Sequence, residues 1–325
     1  MPSVDEAIDR GLTYVRLQQD AAGLWHDTEF PLGAGSDWVT ACVAKSFWVL
    51  MAANPEAHNL EEPIERAHQA LSRRQRSNGG WAYSAQAPTD AEATAWALWS
   101  LLDEPRRRLY STGRGRRYLG AHRDPDSGGY RPYALDTDDA EGRSFQVPPA
   151  LRRPQPCVTG VAVRVLAAQD ATDPAIAAAC DYLKRAQDVD GLWRSDLWSV
   201  AGSPTLAALS ALHSGGALDE VTLSAARDGL AALMKDAHDF ELASALTIAP
   251  RLGLTDVGEA VDRLLGEQGP EGTWTPLQPV RASMPVTDAS SSGRAADPVP
   301  VVPERSYRGR LLTTATALAA LGLQH

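Results

Sequence analysis

The sequence predicts an all-α fold, an (α/α)6 barrel of twelve helices, on three observations. The composition is rich in alanine and leucine and poor in Phe and Tyr, which favours helices over sheets. A Gln-x-x-x-Gly-x-Trp turn recurs, as Gln19…Gly23…Trp25, Gln75…Gly79…Trp81, Gln187…Gly191…Trp193 and Gln268…Gly272…Trp274, with a degenerate copy at Asp124…Gly128…Tyr130. Each copy lies between an amphipathic helical segment and one that is apolar all round.

Taken in order, the first copy opens onto the apolar run DWVTACVAKSFWVLMAA. The amphipathic IERAHQALSRRQ then leads through the second copy into AEATAWALWSLL, and the degenerate copy precedes CVTGVAVRVLAA. AIAAACDYLKRAQ leads through the Gln187 copy into TLAALSAL, and the Gln268 copy precedes LLTTATALAALGL. Successive copies start 56, 49, 63 and 81 residues apart. The widest gap leaves room for one helix pair without the motif, at about Asp219–Met234 and Asp239–Leu252. Amphipathic helices belong outside and uniformly apolar ones inside, so six outer–inner pairs close into a double ring. The reading is one barrel domain over 1–325, with short turns on one end and two long loops, at about 122–156 and 269–309, on the other. That second rim also carries the N-termini of the inner helices, where a pocket for an anionic ligand is expected. Loop 269–309, rich in Pro, Ser and Val, is read as a lid or a partly disordered insertion.

A net charge of −10 and a pI of about 5.2 argue against nucleic acid as a partner. The arginines at 106–108, 114, 116 and 117 read as a solvated helix face. Three widely spaced cysteines (Cys42, Cys157, Cys180) suit a reducing compartment and read as small core residues. The acidic N-terminus has no signal-peptide run, and the best apolar stretch, Val39–Ala53, is interrupted by Lys45. The expectation is a cytoplasmic protein without a transmembrane segment, for which peripheral membrane contact stays open.

The repeated turns between outer and inner helices resemble those of the squalene–hopene cyclase and class II terpene cyclase superfamily, whose barrel the protein prenyltransferase β-subunits share. The resemblance covers nearly the whole chain as a repeat pattern, with length for one barrel where the familiar polycyclases carry two. A prenyltransferase zinc site would place a His near Thr313, in LLTTATALAAL, and none of the seven histidines has a Cys at ligand spacing. Class II cyclases carry Asp-x-Asp-Asp, followed by Thr-Ala, at the start of an inner helix, and the middle Asp protonates an alkene or epoxide. The matching run here is Asp90-Ala91-Glu92-Ala93-Thr94-Ala95, with Glu92 in the middle place and Ala93 in the last. A carboxylic acid kept protonated in a dry pocket remains a donor, so Glu92 is the candidate acid and Asp90 its orienting neighbour. The other reading is a helix start, with Thr89 or Asp90 as cap, Glu92 complementing the dipole, and tryptophans in the core.

Trp96 and Trp99 follow Glu92 at i+4 and i+7 and, with Trp38 and Phe47, are the candidate walls for a carbocation. Asp136-Thr137-Asp138-Asp139 spells the intact motif in a loop, making Asp138 a competing donor or part of a Mg²⁺ site for a diphosphate. Arg305, Arg308 and Arg310 stand before the last inner helix, to hold a diphosphate or to solubilise the lid. Among other ionisable residues in inner-helix patterns (Asp37, Lys45, Arg164, Asp239, Glu241), an Arg164–carboxylate pair across the barrel is expected. The resemblance implies acid-initiated cyclisation of a linear isoprenoid, with no redox cofactor, and with Mg²⁺ where the substrate is a diphosphate. Two further readings stand beside it. One is a non-catalytic isoprenoid-binding or protein-interaction barrel; the other is a carbohydrate-active (α/α)6 enzyme, for which Asp37 and Glu92 are the carboxylate pair on offer.

Overall fold

The computed structural model describes residues 2–30, 32–53, 59–103, 111–134, 145–276, 286–287 and 309–324. Among these are twelve α-helices: α1 (Val4–Leu17), α2 (Asp37–Ala53), α3 (Glu61–Arg74), α4 (Ala91–Leu101), α5 (Ser111–Ala121), α6 (Pro156–Gln169), α7 (Pro174–Arg185), α8 (Gly202–Ser214), α9 (Glu220–Asp236), α10 (Asp239–Ile248), α11 (Gly258–Gly266) and α12 (Arg310–Gly322). The even-numbered helices form a closed inner ring in which α2 packs on α4, then α6, α8, α10 and α12, and α12 returns to α2. The odd-numbered helices lie outside it, α1 against α12, α3 against α2, α5 against α4, α7 against α6, and both α9 and α11 against α10. The pair without a repeat motif is present as α9 and α10, joined by Ala237 and His238 alone, with a 3-10 turn at Ala249–Leu252 after α10. The architecture is the all-α barrel that the repeats predict.

The motif acts as a joint between neighbouring hairpins. Each Trp indole donates to an outer-helix carbonyl ten residues earlier: Trp25 to Val15, Trp81 to Leu71, Trp193 to Leu183 and Trp274 to Leu264, at 2.6–2.8 Å. Each Gln amide donates to the motif Gly carbonyl and to a carbonyl at the start of the next outer helix or just before it. Gln19 reaches Pro63, Gln75 reaches Ser111, Gln187 reaches Thr222, and Gln268 reaches Ala7, which closes the circle. The Gly must be Gly on two counts. At Gly79 φ is +92°, and an added Cβ would meet the Arg114 carbonyl oxygen at 2.8 Å. The motif Trp residues are almost fully buried, so they are structural wedges.

A second constant device fixes the register of the inner helices. A backbone N–H at the motif aromatic donates to a Thr hydroxyl on the following inner helix: Trp25 to Thr40, Trp81 to Thr94, Tyr130 to Thr159 and Trp193 to Thr205. The degenerate copy keeps this bond with Tyr130 in place of Trp. The two long rim loops meet each other, Phe145–Gln146 pairing antiparallel with Val286–Thr287. Among the described residues no helix is long and apolar enough to cross a membrane.

Candidate active site

The chain reaches the site through a short hairpin in which Trp81–Ala82 pairs with Thr89–Asp90, delivering Asp90 to the start of α4. Asp90 is the N-cap: its backbone is extended and its Oδ1 accepts from the Ala93 N–H at 2.7 Å. Its Oδ2 is buried and finds no hydrogen-bond partner among the described residues. Burial pushes this carboxyl well above the usual range against the Ala93 N–H, and the charge of Glu92 pushes in the same direction as burial. Tyr83 and Tyr133, both buried, stand near enough to Asp90 to feel its charge.

Glu92, two residues into α4, is enclosed by protein yet keeps accessible surface, so it faces an interior space. The Trp198 indole donates to its Oε1 at 2.9 Å, and the Cys157 thiol is a second partner. Burial raises its pKa from 4.5 to about 7, and the two hydrogen bonds hold it back from going higher. Ser195 Oγ donates to Gln155 Oε1 at 3.0 Å, so the single Cys157 S–H is shared between Ser195 Oγ, 3.1 Å away, and Glu92. Trp198 stacks on Phe240 (5.8 Å, 7°) and meets Trp38 edge-on (6.1 Å, 88°). The carboxyl is thus joined to Trp198 from the turn before α8, which packs between Trp38 at the start of α2 and Phe240 at the start of α10.

The repeat explains why these groups share one level. The residue two places before each register Thr is Trp38 on α2, Glu92 on α4, Cys157 on α6 and Ser203 on α8. Equivalent places on a ring of equivalent helices lie at one height. Thr94 of the DAEATA run is thus accounted for by the fold, and Glu92 is not.

The remaining candidates are dispersed. Trp96 is half-buried one turn below Glu92 and stacks on Trp99 at 5.9 Å. Trp99 belongs to the opposite end of the barrel, between Lys45 at 4.8 Å and the Arg164 guanidinium. Phe47 packs edge-on to Trp25 at 5.6 Å, away from Glu92. Arg310 pairs with Glu271 at 3.2 Å on an exposed face. Asp37 is buried and ion-paired to Arg74. Asp239 accepts from the Thr275 N–H, and Glu241 from the Ala201 N–H, both knitting the rim. Asp136, Asp138, Asp139, Arg305 and Arg308 lie outside the described residues. The interior carboxylate Asp103 is held by Lys45 through both oxygens at 2.7 Å, and Arg164 acts on it through its charge without a direct ion pair among the described residues. Among the described residues no cluster of three or more His, Cys, Asp or Glu could hold a metal.

Sequence reasoning passed over Trp198 and Phe240, and read Cys157 only as core. The signal for Trp198 and Phe240 was position: one lies in the short turn after the Gln187 motif and the other in the first turn of an inner helix, both on the rim already chosen for the site.

No family model matches the sequence, and no curated protein matches it. Among solved structures, the chain is similar to the type II terpene cyclase MstE from Scytonema, with a TM-score of 0.72, 22% identity and 98% of each chain covered. Other structures of that cyclase hold geranylgeranyl dihydroxybenzoate as substrate or merosterolic acid A as product. A protein from Actinoplanes is similar to the same degree, at a TM-score of 0.72 with 25% identity over 98% of each chain. An alpha-1,6-mannanase of Salegentibacter solved with alpha-1,6-mannotriose also matches, at 0.61 with 9% identity over 98% of each chain. The comparisons show a barrel that type II terpene cyclases and a mannanase both use, and the chemistry is left to the residues at the rim.

Proposed function

We propose that this chain is a class II-type terpene cyclase in which Glu92 protonates the terminal alkene of a linear isoprenoid. One observation carries the reading: a carboxyl held near neutrality faces an interior space beside Trp38, Trp198 and Phe240. The proton would leave Glu92 for the terminal carbon of the alkene, the π pair forming the new C–H bond and leaving a tertiary cation. The next alkene attacks that cation, and the last cation loses a proton or takes up water. The glutamate formed is stabilised by the Trp198 N–H, the Cys157 thiol and the N-terminal dipole of α4. Ring faces of the aromatic trio stabilise the cation. Asp90, whose Oδ1 accepts from the Ala93 N–H, orients the helix start.

The substrate class is a linear isoprenoid with or without a diphosphate, and the Scytonema cyclase makes a prenylated dihydroxybenzoate part of the same set. The carbohydrate reading has less support, because it needs a second free carboxylate and Asp37 is engaged by Arg74. Purified protein and Glu92→Gln are incubated with a panel of prenyl alcohols, prenyl diphosphates and geranylgeranyl dihydroxybenzoate in D₂O, and products are read by mass spectrometry. An isomeric cyclic product with one deuterium, absent in Glu92→Gln and formed more slowly as pH rises through about 7, is expected. A product that persists in Glu92→Gln overturns the assignment of the acid, and no product from the whole panel overturns the cyclase reading.

A further inference from the structure

At the carbonyl end of the inner helices, opposite Glu92, lies a cavity of about 380 Å³ that the chemistry above does not use. Its lining includes Trp99 from α4, Arg164 from α6, Ser210 and His213 from α8, and Arg251 from the turn after α10. Seven residues of α4 separate Glu92 from Trp99, about 10 Å along the axis, so the two places are distinct.

The charges here do not balance. Lys45 and Asp103 satisfy each other, at 2.7 Å through both carboxylate oxygens. Arg164, whose guanidinium lies over the Trp99 ring, and the exposed Arg251 are then left without an ion pair or a hydrogen bond among the described residues, although Arg164 is enclosed within the barrel. Arginine is enriched where a planar fork meets an oxyanion, and the stack on Trp99 leaves the N–H donors of the enclosed Arg164 guanidinium without an acceptor. The carbonyl ends of α6 and α8 carry a partial negative charge that these guanidinium groups also complement. Ser210 is an independent sign. Its side chain is 3% exposed, and its Oγ is buried with no hydrogen-bond partner among the described residues, on the wall of the same cavity. A buried hydroxyl is normally satisfied.

We propose that this cavity is a binding site for a phosphate-type dianion, a diphosphate or a small phosphoester, held by Arg164 and Arg251 with Ser210 donating its hydroxyl. Two unpaired guanidinium groups match a double negative charge, and the volume falls at the small end of ligand sites, roughly 300–1,000 Å³. The site does not rest on the role of Glu92.

Titration calorimetry of the full chain with sodium diphosphate, and with inorganic phosphate, at about 0.05 M ionic strength tests this, since screening there is weak. Saturable binding of one diphosphate per chain is expected, weakened about tenfold or more in Arg164→Gln and in the exposed Arg251→Gln, and by a few-fold in Ser210→Ala. Glu92→Gln is expected to bind diphosphate as the wild type does. Diphosphate should raise the Tm of wild type and leave that of Arg164→Gln unmoved. Absence of saturable binding at millimolar diphosphate, wild-type affinity in Arg251→Gln, or an equal Tm rise with acetate at the same ionic strength overturns the proposal. Loss of binding in Glu92→Gln overturns its separation from the acid. Should Arg164→Gln fail to fold, Arg251→Gln alone decides.

Discussion

Replacing Glu92 by Gln distinguishes a neutral acid from an ionised helix-start residue without any substrate. The carboxyl has an ordinary pKa of 4.5, and the folded chain holds it at about 7, chiefly by burial. Because the folded pKa lies above the unfolded one, the folded chain binds this proton more tightly. Its contribution to stability is therefore fully present below about 4.5 and is lost as pH rises through about 7. A rise from 4.5 to about 7, at 1.36 kcal/mol per unit, corresponds to about 3 kcal/mol. Gln keeps an oxygen for the Trp198 N–H and has no charge to desolvate. In urea unfolding, Glu92→Gln is expected to match wild type near pH 4.5 and to exceed it by about 3 kcal/mol near pH 8. A glutamate serving only as an ionised partner of the α4 dipole would behave oppositely, its loss costing about 0.3–1 kcal/mol near pH 8. A destabilised variant at pH 8, or a difference that does not change with pH, refutes the reasoning.

Trp198→Phe preserves the ring against Phe240 and deletes the N–H that Glu92 accepts. A hydrogen bond to a charged group is worth about 1.5–3 kcal/mol, so the Glu92 pKa should rise by about one to two units. The falling limb of the pH–rate profile should move up accordingly, with a maximal rate lower by about tenfold; an unmoved limb counts against the contact. Trp274→Ala removes a buried wedge and its bond to the Leu264 carbonyl, far from any chemistry. Its expected cost is about 3–5 kcal/mol in urea unfolding, and a loss under about 1 kcal/mol would contradict the joint described for the repeat.

Much of the fold was legible in the sequence because the repeat is local. Gly79 needs a positive φ and a bare Cα wherever the next outer helix passes, and Trp81 reaches a carbonyl ten residues back in its own hairpin. Such requirements recur with each hairpin and so leave a periodic trace. Within the site the trace is partial. Asp90 and Glu92 were readable as the start of an inner helix, and Trp38 as the start of its neighbour. Trp99 and Phe47 were not placed by helical spacing. Spacing along α4 assigns a face and not a depth, so Trp99 shares a face with Glu92 and still lies about 10 Å from it at the other end. Phe47 faces outward to Trp25, a distinction invisible in a helix apolar on every side.

By itself the sequence determined the twelve helices, their division into two rings, and the rim on which the carboxylates stand, since these follow from local periodicity and turn chemistry. Only the tertiary structure decided what surrounds each charged group. Glu92 meets Trp198 across 106 residues, Asp37 meets Arg74 across 37, and Lys45 takes Asp103 and leaves Arg164 to its cavity. The protonation state of a buried carboxyl depends on burial and on such partners, and both are set by the closing of the ring rather than by neighbours in the chain.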